Sequence, residues 1–455
     1  MTHETRYAKT ADGVYLAYQV VGSGPLDVVM DLHAFAGNVD LIWDEPDWGP
    51  LLSRMTEFSR LIVHDRRGSG ASTRNAPPPN LETRAADLLV VLDAVGSEAP
   101  VLGAGASTGA MHALFAATYP DRASGLVWNY PRPRLAWAPD YPWGQRTDAF
   151  EAALDEAANW GTTEQARDQA RNRAAQRLGV AHEERHTLIV DEDVVRRYAR
   201  VTRNTVSPDV AEALTRILWQ TDVREILPSV HSPTALIVGD ADAEADREEA
   251  EYVGSLMPNA TVHVLPGRSG LQTDAQMAIV RQLAGIERRP AVSTVLATVL
   301  FTDIIDSTRK QAVLGDRGWR ELLHAHHSAV RDALSHWGGT EHDTAGDGFF
   351  ASFVGPARAI HCAHEIADRV ASMGIETRAG VHIGECELID GKPGGLAVTI
   401  GARLLGSAGA REVIVSQTVK DLVAGSGFSF TDRGEHELKG VPDLWRLYLA
   451  EPTRH

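Results

Sequence analysis

Gly105-Ala106-Ser107-Thr108-Gly109 is a G-x-S-x-G pentapeptide set between an apolar strand pattern at 100–105 and a helical pattern at 109–119 that Pro120 stops. Small residues around Ser107 permit the sharp strand-to-helix turn that lifts a serine hydroxyl to the edge of a sheet. Upstream, Asp65-Arg66-Arg67-Gly68-Ser69-Gly70-Ala71-Ser72 follows a short apolar run at 61–63, and another run lies at 28–32. A helical stretch at 86–95 separates the run at 61–63 from the strand pattern at 100–105. The alternation is that of a parallel sheet covered by helices. Residues 148–218 break it: they are charged, rich in alanine and without a strand signal, so they read as a helical insertion of about 131–220. Strand signals return at 234–238 and 261–265.

The chain has 455 residues, too many for one ordinary domain. The stretch Ile286-Glu287-Arg288-Arg289-Pro290-Ala291-Val292 has the charge and proline of a linker, which divides the chain into 1–285, a linker at 286–292, and 293–455. The second part opens with a strand at 293–301. A helix follows, carrying Trp319, Leu322, Leu323, Val330 and Leu334, then strands at 348–353 and 377–383. That order predicts an α+β sandwich of ferredoxin-like type. The net charge of −17 excludes a non-specific nucleic-acid binder. No apolar run reaches the roughly 18 residues of a membrane span, and no signal-peptide pattern opens the chain. Two cysteines without zinc-like spacing, Cys362 and Cys386, fit a reducing compartment. The expectation is a soluble, cytoplasmic protein with neither nucleic acid nor membrane as partner.

The D-x-R-G-x-G-x-S stretch, followed a few dozen residues later by the pentapeptide, resembles the α/β-hydrolase family over about residues 10–280. The resemblance implies a Ser-acid-His triad with Ser107 as nucleophile. Asp242 matches the acid, with Asp240 second. The base has no counterpart. The loop expected to carry it reads Pro266-Gly267-Arg268-Ser269-Gly270-Leu271-Gln272-Thr273-Asp274, and Gly270 stands where the histidine belongs. His263 lies inside the last strand, and His33 falls in the region of the family's oxyanion loop. Loss of the base costs such a triad several orders of magnitude. The expectation is therefore a retained scaffold that binds a small molecule or a protein without turnover. An esterase with a relocated base is the alternative.

Phe301-Thr302-Asp303-Ile304-Ile305-Asp306-Ser307-Thr308 and, 44 residues beyond Asp303, Ala345-Gly346-Asp347-Gly348-Phe349-Phe350 are strand-to-loop sequences, each with an aspartate at its end. Together with Ala379-Gly380-Val381-His382-Ile383-Gly384-Glu385, Ala402-Arg403, Glu412–416 and Leu438-Lys439-Gly440-Val441-Pro442 they resemble the class III nucleotidyl cyclases. The match runs over about 293–449. The pairing with a hydrolase-like domain is similar to two-domain cyclases of actinobacteria. The resemblance implies that a nucleoside triphosphate, ATP by default, is converted to a 3′,5′-cyclic nucleotide and pyrophosphate by a homodimer. Asp303, Asp347 and the Ile304 carbonyl would hold two divalent cations, Mg2+ or Mn2+. Backbone amides of Ile305, Asp306, Ser307 and Thr308 would meet the phosphates. Arg403 would stabilise the transition state and Lys439 the polyphosphate.

The sequence departs from that pattern at three positions. Purine-specific members carry a lysine where this chain has Asp343, and an acid or related polar residue where it has Lys392. Thr399 replaces a transition-state asparagine. Asp343 and Lys392 can read either purine or a pyrimidine, or pair with each other. Thr399 keeps a hydroxyl donor of shorter reach, so a slow cyclase is expected; a degenerate, catalytically weak signalling or binding protein is the alternative, and an esterase with an auxiliary cyclase domain a third reading. His324, His326 and His327 read as a solvated helix face without a third metal ligand, and Cys386 as a small buried residue.

Overall fold

The computed structural model describes residues 3–31, 37–45, 48–178, 180, 182–267, 273–284, 294–389 and 392–453. His33, Gly270 and the linker expected at 286–292 lie outside the described residues. The chain divides into two compact units, 1–291 and 292–455.

The strands of the first unit are β1 (Arg6–Lys9), β2 (Tyr15–Val21), β3 (Leu26–Asp31), β4 (Ser59–His64), β5 (Val101–Gly105), β6 (Gly125–Asn129), β7 (Thr234–Gly239) and β8 (Ala260–Leu265). They form one sheet in the order β1-β2-β4-β3-β5-β6-β7-β8, parallel from β4 through β8, with β1 and β2 antiparallel at one edge. Val28 lies opposite Leu61 on one side and Val101 on the other, and all six residues of β7 are buried. Both faces of the parallel strands are thus covered, which is why their sequences run apolar rather than alternating. Sequence patterning does not reveal β1 and β2; in β2 the residues Leu16, Ala17, Tyr18 and Gln19 are buried in succession.

Around the sheet lie α1 (Trp48–Met55), α2 (Leu81–Val95), α3 (Gly109–Thr118), α4 (Thr147–Ala158), α5 (Thr163–Leu178), α6 (Glu192–Arg203), α7 (Pro208–Gln220), α8 (Glu244–Leu256) and α9 (Thr273–Ala284). The side chain of Asn80 caps α2 by accepting the Thr83 amide at 2.8 Å. Helix α3 is buried from Gly109 to Ala117. At Gly109 an added Cβ would lie 2.2 Å from the Trp128 indole, so only glycine lets α3 come this close to β6. Helices α4 to α7 fall between β6 and β7, where the strand pattern lapses.

Asp31, at the end of β3, is an ion-pair hub inside this unit. Its carboxylate lies 2.6 Å from Arg66 and 3.1 Å from Arg84, and all three side chains are buried. Burial opposes its charge, but the two guanidinium groups hold the carboxyl well below the usual carboxylate range. His64 and His112 stand beside the cluster, and burial pushes both down to about 4.

The second unit contains β9 (Thr294–Ile304), α10 (Ser307–Trp337), β10 (Thr340–Ala345), β11 (Gly348–Phe353), α11 (Pro356–Ala371), β12 (Thr377–Ile389), β13 (Lys392–Gly394), α12 (Leu396–Gly406), β14 (Val413–Ser416), α13 (Gln417–Leu422), β15 (Phe428–Glu437) and β16 (Leu444–Pro452). Its mixed sheet runs β10-β11-β9-β12-β14-β16-β15, and β13 pairs with β12. The central strand β9 is antiparallel to both neighbours, with Phe301 between Phe350 and Gly380. A Cβ on Gly380 would lie 2.4 Å from the Leu405 amide, so glycine here lets α12 rest on the sheet. Helix α10 begins earlier than its apolar period shows and bends at Gly315, whose φ is 68°. No described helix is long and apolar enough to cross a membrane.

Two stability predictions follow from the Asp31 cluster. Removing one member of a buried ion pair leaves uncompensated charge, so Asp31→Ala should cost about 3 kcal/mol in urea unfolding. The native contribution of Asp31 is present above about pH 4 and lost as pH falls through its lowered folded-state value. His112 acts in another window. Between pH 6.5 and about 4 the unfolded chain takes up a proton that the folded chain refuses, so stability falls as pH drops. His112→Leu lacks that proton uptake and should gain in melting temperature relative to the wild type as pH is lowered through this range.

Candidate active site

In the second unit, Asp303 and Ile304 end β9, and Asp347 sits in the two-residue turn between Ala345 of β10 and Gly348 of β11. Antiparallel pairing of β11 with β9 sets Phe349 opposite Thr302, which carries Asp347 to the end of β9. The Ile304 amide donates to Asp347 Oδ2 at 3.3 Å. Burial, followed by hydrogen-bonding contact with Asp303 and its charge, raises the Asp347 carboxyl above the ordinary range; a hydrogen bond from Ser307 works the other way. Two carboxylates are therefore held side by side. On the far side of Asp303, Arg378 Nη2 reaches Oδ2 at 3.0 Å, directly across the β9–β12 ladder. Sequence reasoning missed Arg378. Its signal, a cross-strand position opposite Asp303, becomes visible only once the register is known.

Downstream of Ile304, the Ile305 amide donates to the Glu376 carbonyl at 2.9 Å. This corrects the expectation that Ile305 offers its amide to phosphate, since that donor is taken by the neighbouring chain segment. Asp306 turns through a left-handed conformation, φ 55°, and Ser307 and Thr308 form the first turn of α10.

The remaining residues of the pattern form two further groups. Lys392 Nζ pairs with Asp343 Oδ2 at 2.9 Å, joining β13 to β10 at the surface. Arg403, exposed on α12, donates from Nε to the Lys439 carbonyl at 2.8 Å. The Thr399 hydroxyl donates back to Gly395 at the start of its own helix, 3.3 Å away. Among the described residues, no hydrogen bond or ion pair joins Asp303 or Asp347 to Thr399, Arg403 or Lys439. No group of three or more His, Cys, Asp or Glu side chains able to hold a metal occurs among the described residues. The donor set is two carboxylates and a carbonyl, which suits a hard cation that keeps water ligands.

In the first unit, the turn after β5 departs from the expected serine elbow. β5 pairs with β6 through Gly105, opposite Asn129, so the chain turns at the next residue. That residue is Ala106, with φ 44°, and Ser107 lies one position further in a buried single turn of helix. The strained apex of the turn thus carries a methyl group, and the expectation that it presents the Ser107 hydroxyl is corrected. Thr108 locks the turn by donating to the Gly105 carbonyl at 2.6 Å. Asp242 accepts the Tyr130 hydroxyl at 2.7 Å and the Gly239 amide at 2.5 Å. Asp240 accepts the Gly267 amide at 2.6 Å. His263 lies on β8 beside Ile237 of β7, where burial lowers it. In the second unit Cys386 is buried, and burial pushes its thiol up to about 11.

The family model of the α/β hydrolase fold matches residues 27–268. An uncharacterized protein of Mycobacterium tuberculosis is 30% identical over 183 residues, which are 39% of this chain and 63% of that protein. The chain therefore spans about 63% of the length of that relative. Among solved structures, bromoperoxidase from Bacillus anthracis is 23% identical with a TM-score of 0.48, covering 62% of this chain and 98% of its own. The adenylyl cyclase CyaB from P. aeruginosa is 19% identical with a TM-score of 0.34, covering 35% of this chain and 96% of its own. With the family match extending over more than half of its length, the chain belongs to the α/β-hydrolase-fold family.

Proposed function

We propose that residues 293–455 form a class III nucleotidyl cyclase domain acting as a homodimer, and that residues 1–285 form a hydrolase-fold domain that binds a ligand or partner without hydrolysing it. The observation that carries the cyclase reading is the pair Asp303 and Asp347. Two carboxylates are held together by strand register, one of them raised by burial and by the other. Such an arrangement is costly without a cation and suited to one.

Asp303, Asp347 and the Ile304 carbonyl are the residues that would hold the cations, Mg2+ or Mn2+. When bound, these neutralise triphosphate charge and acidify the ribose 3′-hydroxyl. The amides of the first turn of α10, next to Ser307 and Thr308, receive the β- and γ-phosphates. Arg403 stabilises charge developing on the α-phosphoryl group, and Lys439 holds the polyphosphate. The 3′-oxygen bonds to the α-phosphorus, the bond to the bridging oxygen breaks, pyrophosphate leaves, and the hydroxyl proton passes to solvent. Thr399 would supply a donor to the same group after releasing Gly395, so a slow reaction is expected.

Among the described residues no hydrogen bond or ion pair joins Arg403 or Lys439 to the carboxylate pair of their own chain, as a site completed by a second copy would require. The second unit also exposes Val313, Leu314, Leu396 and Leu444, apolar side chains suited to such a contact. Asp343 and Lys392 pair with each other, the arrangement in which they read no base, so they leave the choice of base open. ATP is the default substrate, with GTP or a pyrimidine triphosphate as the alternative.

The homodimer makes a direct prediction. Asp303→Ala and Arg403→Ala should each abolish cyclic-nucleotide formation. Mixing the two should restore about a quarter of wild-type activity, because half of the random dimers have one intact site of two. No recovery on mixing, with subunit exchange verified, would contradict a shared site. For the first unit, hydrolysis of p-nitrophenyl acetate should stay at background and be unchanged in Ser107→Ala. Rapid turnover that disappears in that variant would contradict the non-hydrolytic reading.

A further inference from the structure

The three histidines of α10 do not form the uniform solvated face that their spacing suggests. His324 is exposed, His326 is fully buried, and His327 is half-buried. His327 Nε2 lies 2.9 Å from the carbonyl oxygen of Gly346. A carbonyl only accepts, so the ring donates from Nε2. Gly346 and Asp347 are the two residues of the β10–β11 turn, and Gly346 has a φ of 64°. The bond therefore ends on the peptide group that precedes Asp347.

Neighbouring contacts fix the rest of this hairpin against the same helix. The rings of His326 and His327 stand edge-on to Phe349, 5.7 and 5.1 Å between centroids. One turn along α10, Arg331 lies 5.7 Å over Phe349 and forks onto Glu341 of β10 at 2.8 and 2.9 Å. Thr344 donates to the same Glu341 at 2.6 Å. Of these contacts, only that of His327 reaches the turn itself. A short turn bearing a carboxylate beside another carboxylate is pushed open by their repulsion, and a hydrogen bond on the adjacent peptide resists that push.

We propose that His327 is a positioning residue: its ring N–H holds the Gly346 carbonyl so that the Asp347 carboxylate stays beside Asp303, and this sets how tightly the pair takes a divalent cation. The inference rests on the reading of Asp303 and Asp347 as cation ligands. Residues that orient ligands from behind change metal affinity by about 10- to 100-fold when lost.

The test is Mn2+ binding to the purified full chain by titration calorimetry, without nucleotide, in the wild type, His327→Leu and His327→Gln. Leucine keeps the packing on Phe349 and removes the donor; glutamine restores an N–H at similar reach. His327→Leu should bind Mn2+ about tenfold more weakly, and His327→Gln should return to within about threefold of the wild type. Asp303→Ala should lose the binding and so identifies the site. Equal affinity in the wild type and His327→Leu overturns the proposal. So does a His327→Gln chain that melts like the wild type yet binds as weakly as the leucine variant. Cyclic-nucleotide formation is scored separately. A wild type that forms none while the three chains keep the expected order of affinity sinks the cyclase reading and supports the positioning role.

Discussion

The repulsion between Asp303 and Asp347 is the constraint around which the second unit is built. Two unit charges about 4 Å apart repel by about 4 kcal/mol at an effective dielectric of 20. The fold brings these carboxylates together through the β9–β11 register and then offsets part of the cost from several directions. Arg378 faces Asp303 across the ladder, the Ile304 amide and Ser307 reach Asp347, and His327 holds the adjoining peptide. Each of these contacts holds in place a pair of carboxylates that would otherwise separate.

The first unit presents the reverse case, a well-built scaffold whose reacting position is plain. Its sheet order and helix packing are those of a hydrolase fold, and the turn after β5 keeps its backbone strain, yet Ala106 occupies the apex. Strain of this kind persists only where the surroundings impose it. Here the imposing contacts are the pairing of Gly105 with Asn129, the Thr108 bonds and the approach of α3 to Trp128. The net charge of −17 sharpens the contrast between the units. On the proposed reading, an acidic chain that holds a triphosphate needs local positive charge, and Arg403, bonded to the Lys439 carbonyl, is a candidate source of it.

Most of the architecture is legible in the sequence because apolar runs and turn residues report burial directly. The strands around Val28, Leu61 and Val101 and the glycine ends of helices are of this kind. The elbow apex is not: the sequence places the strand end at Gly105, but the G-x-S-x-G pattern puts the apex on Ser107, whereas the chain turns one residue earlier, at Ala106. The backbone conformation at Ala106, next to the last residue that pairs with β6, decides. Arg378 and His327 are hidden too. Each acts on a residue far away in sequence, so its role exists only once strands and helix are in place. Lys392 and Asp343 show an intermediate case: the sequence marks both as an exchanged pair, and the structure adds that they meet.

The central claim is that the second unit makes a cyclic nucleotide with a divalent cation. The most direct measurement incubates the purified chain separately with ATP, GTP, CTP and UTP, with Mg2+, Mn2+ or a chelator, and identifies the products by mass. One 3′,5′-cyclic nucleotide with pyrophosphate is expected, formed slowly with metal and absent with chelator. No cyclic product from any of the four triphosphates with either metal would contradict it.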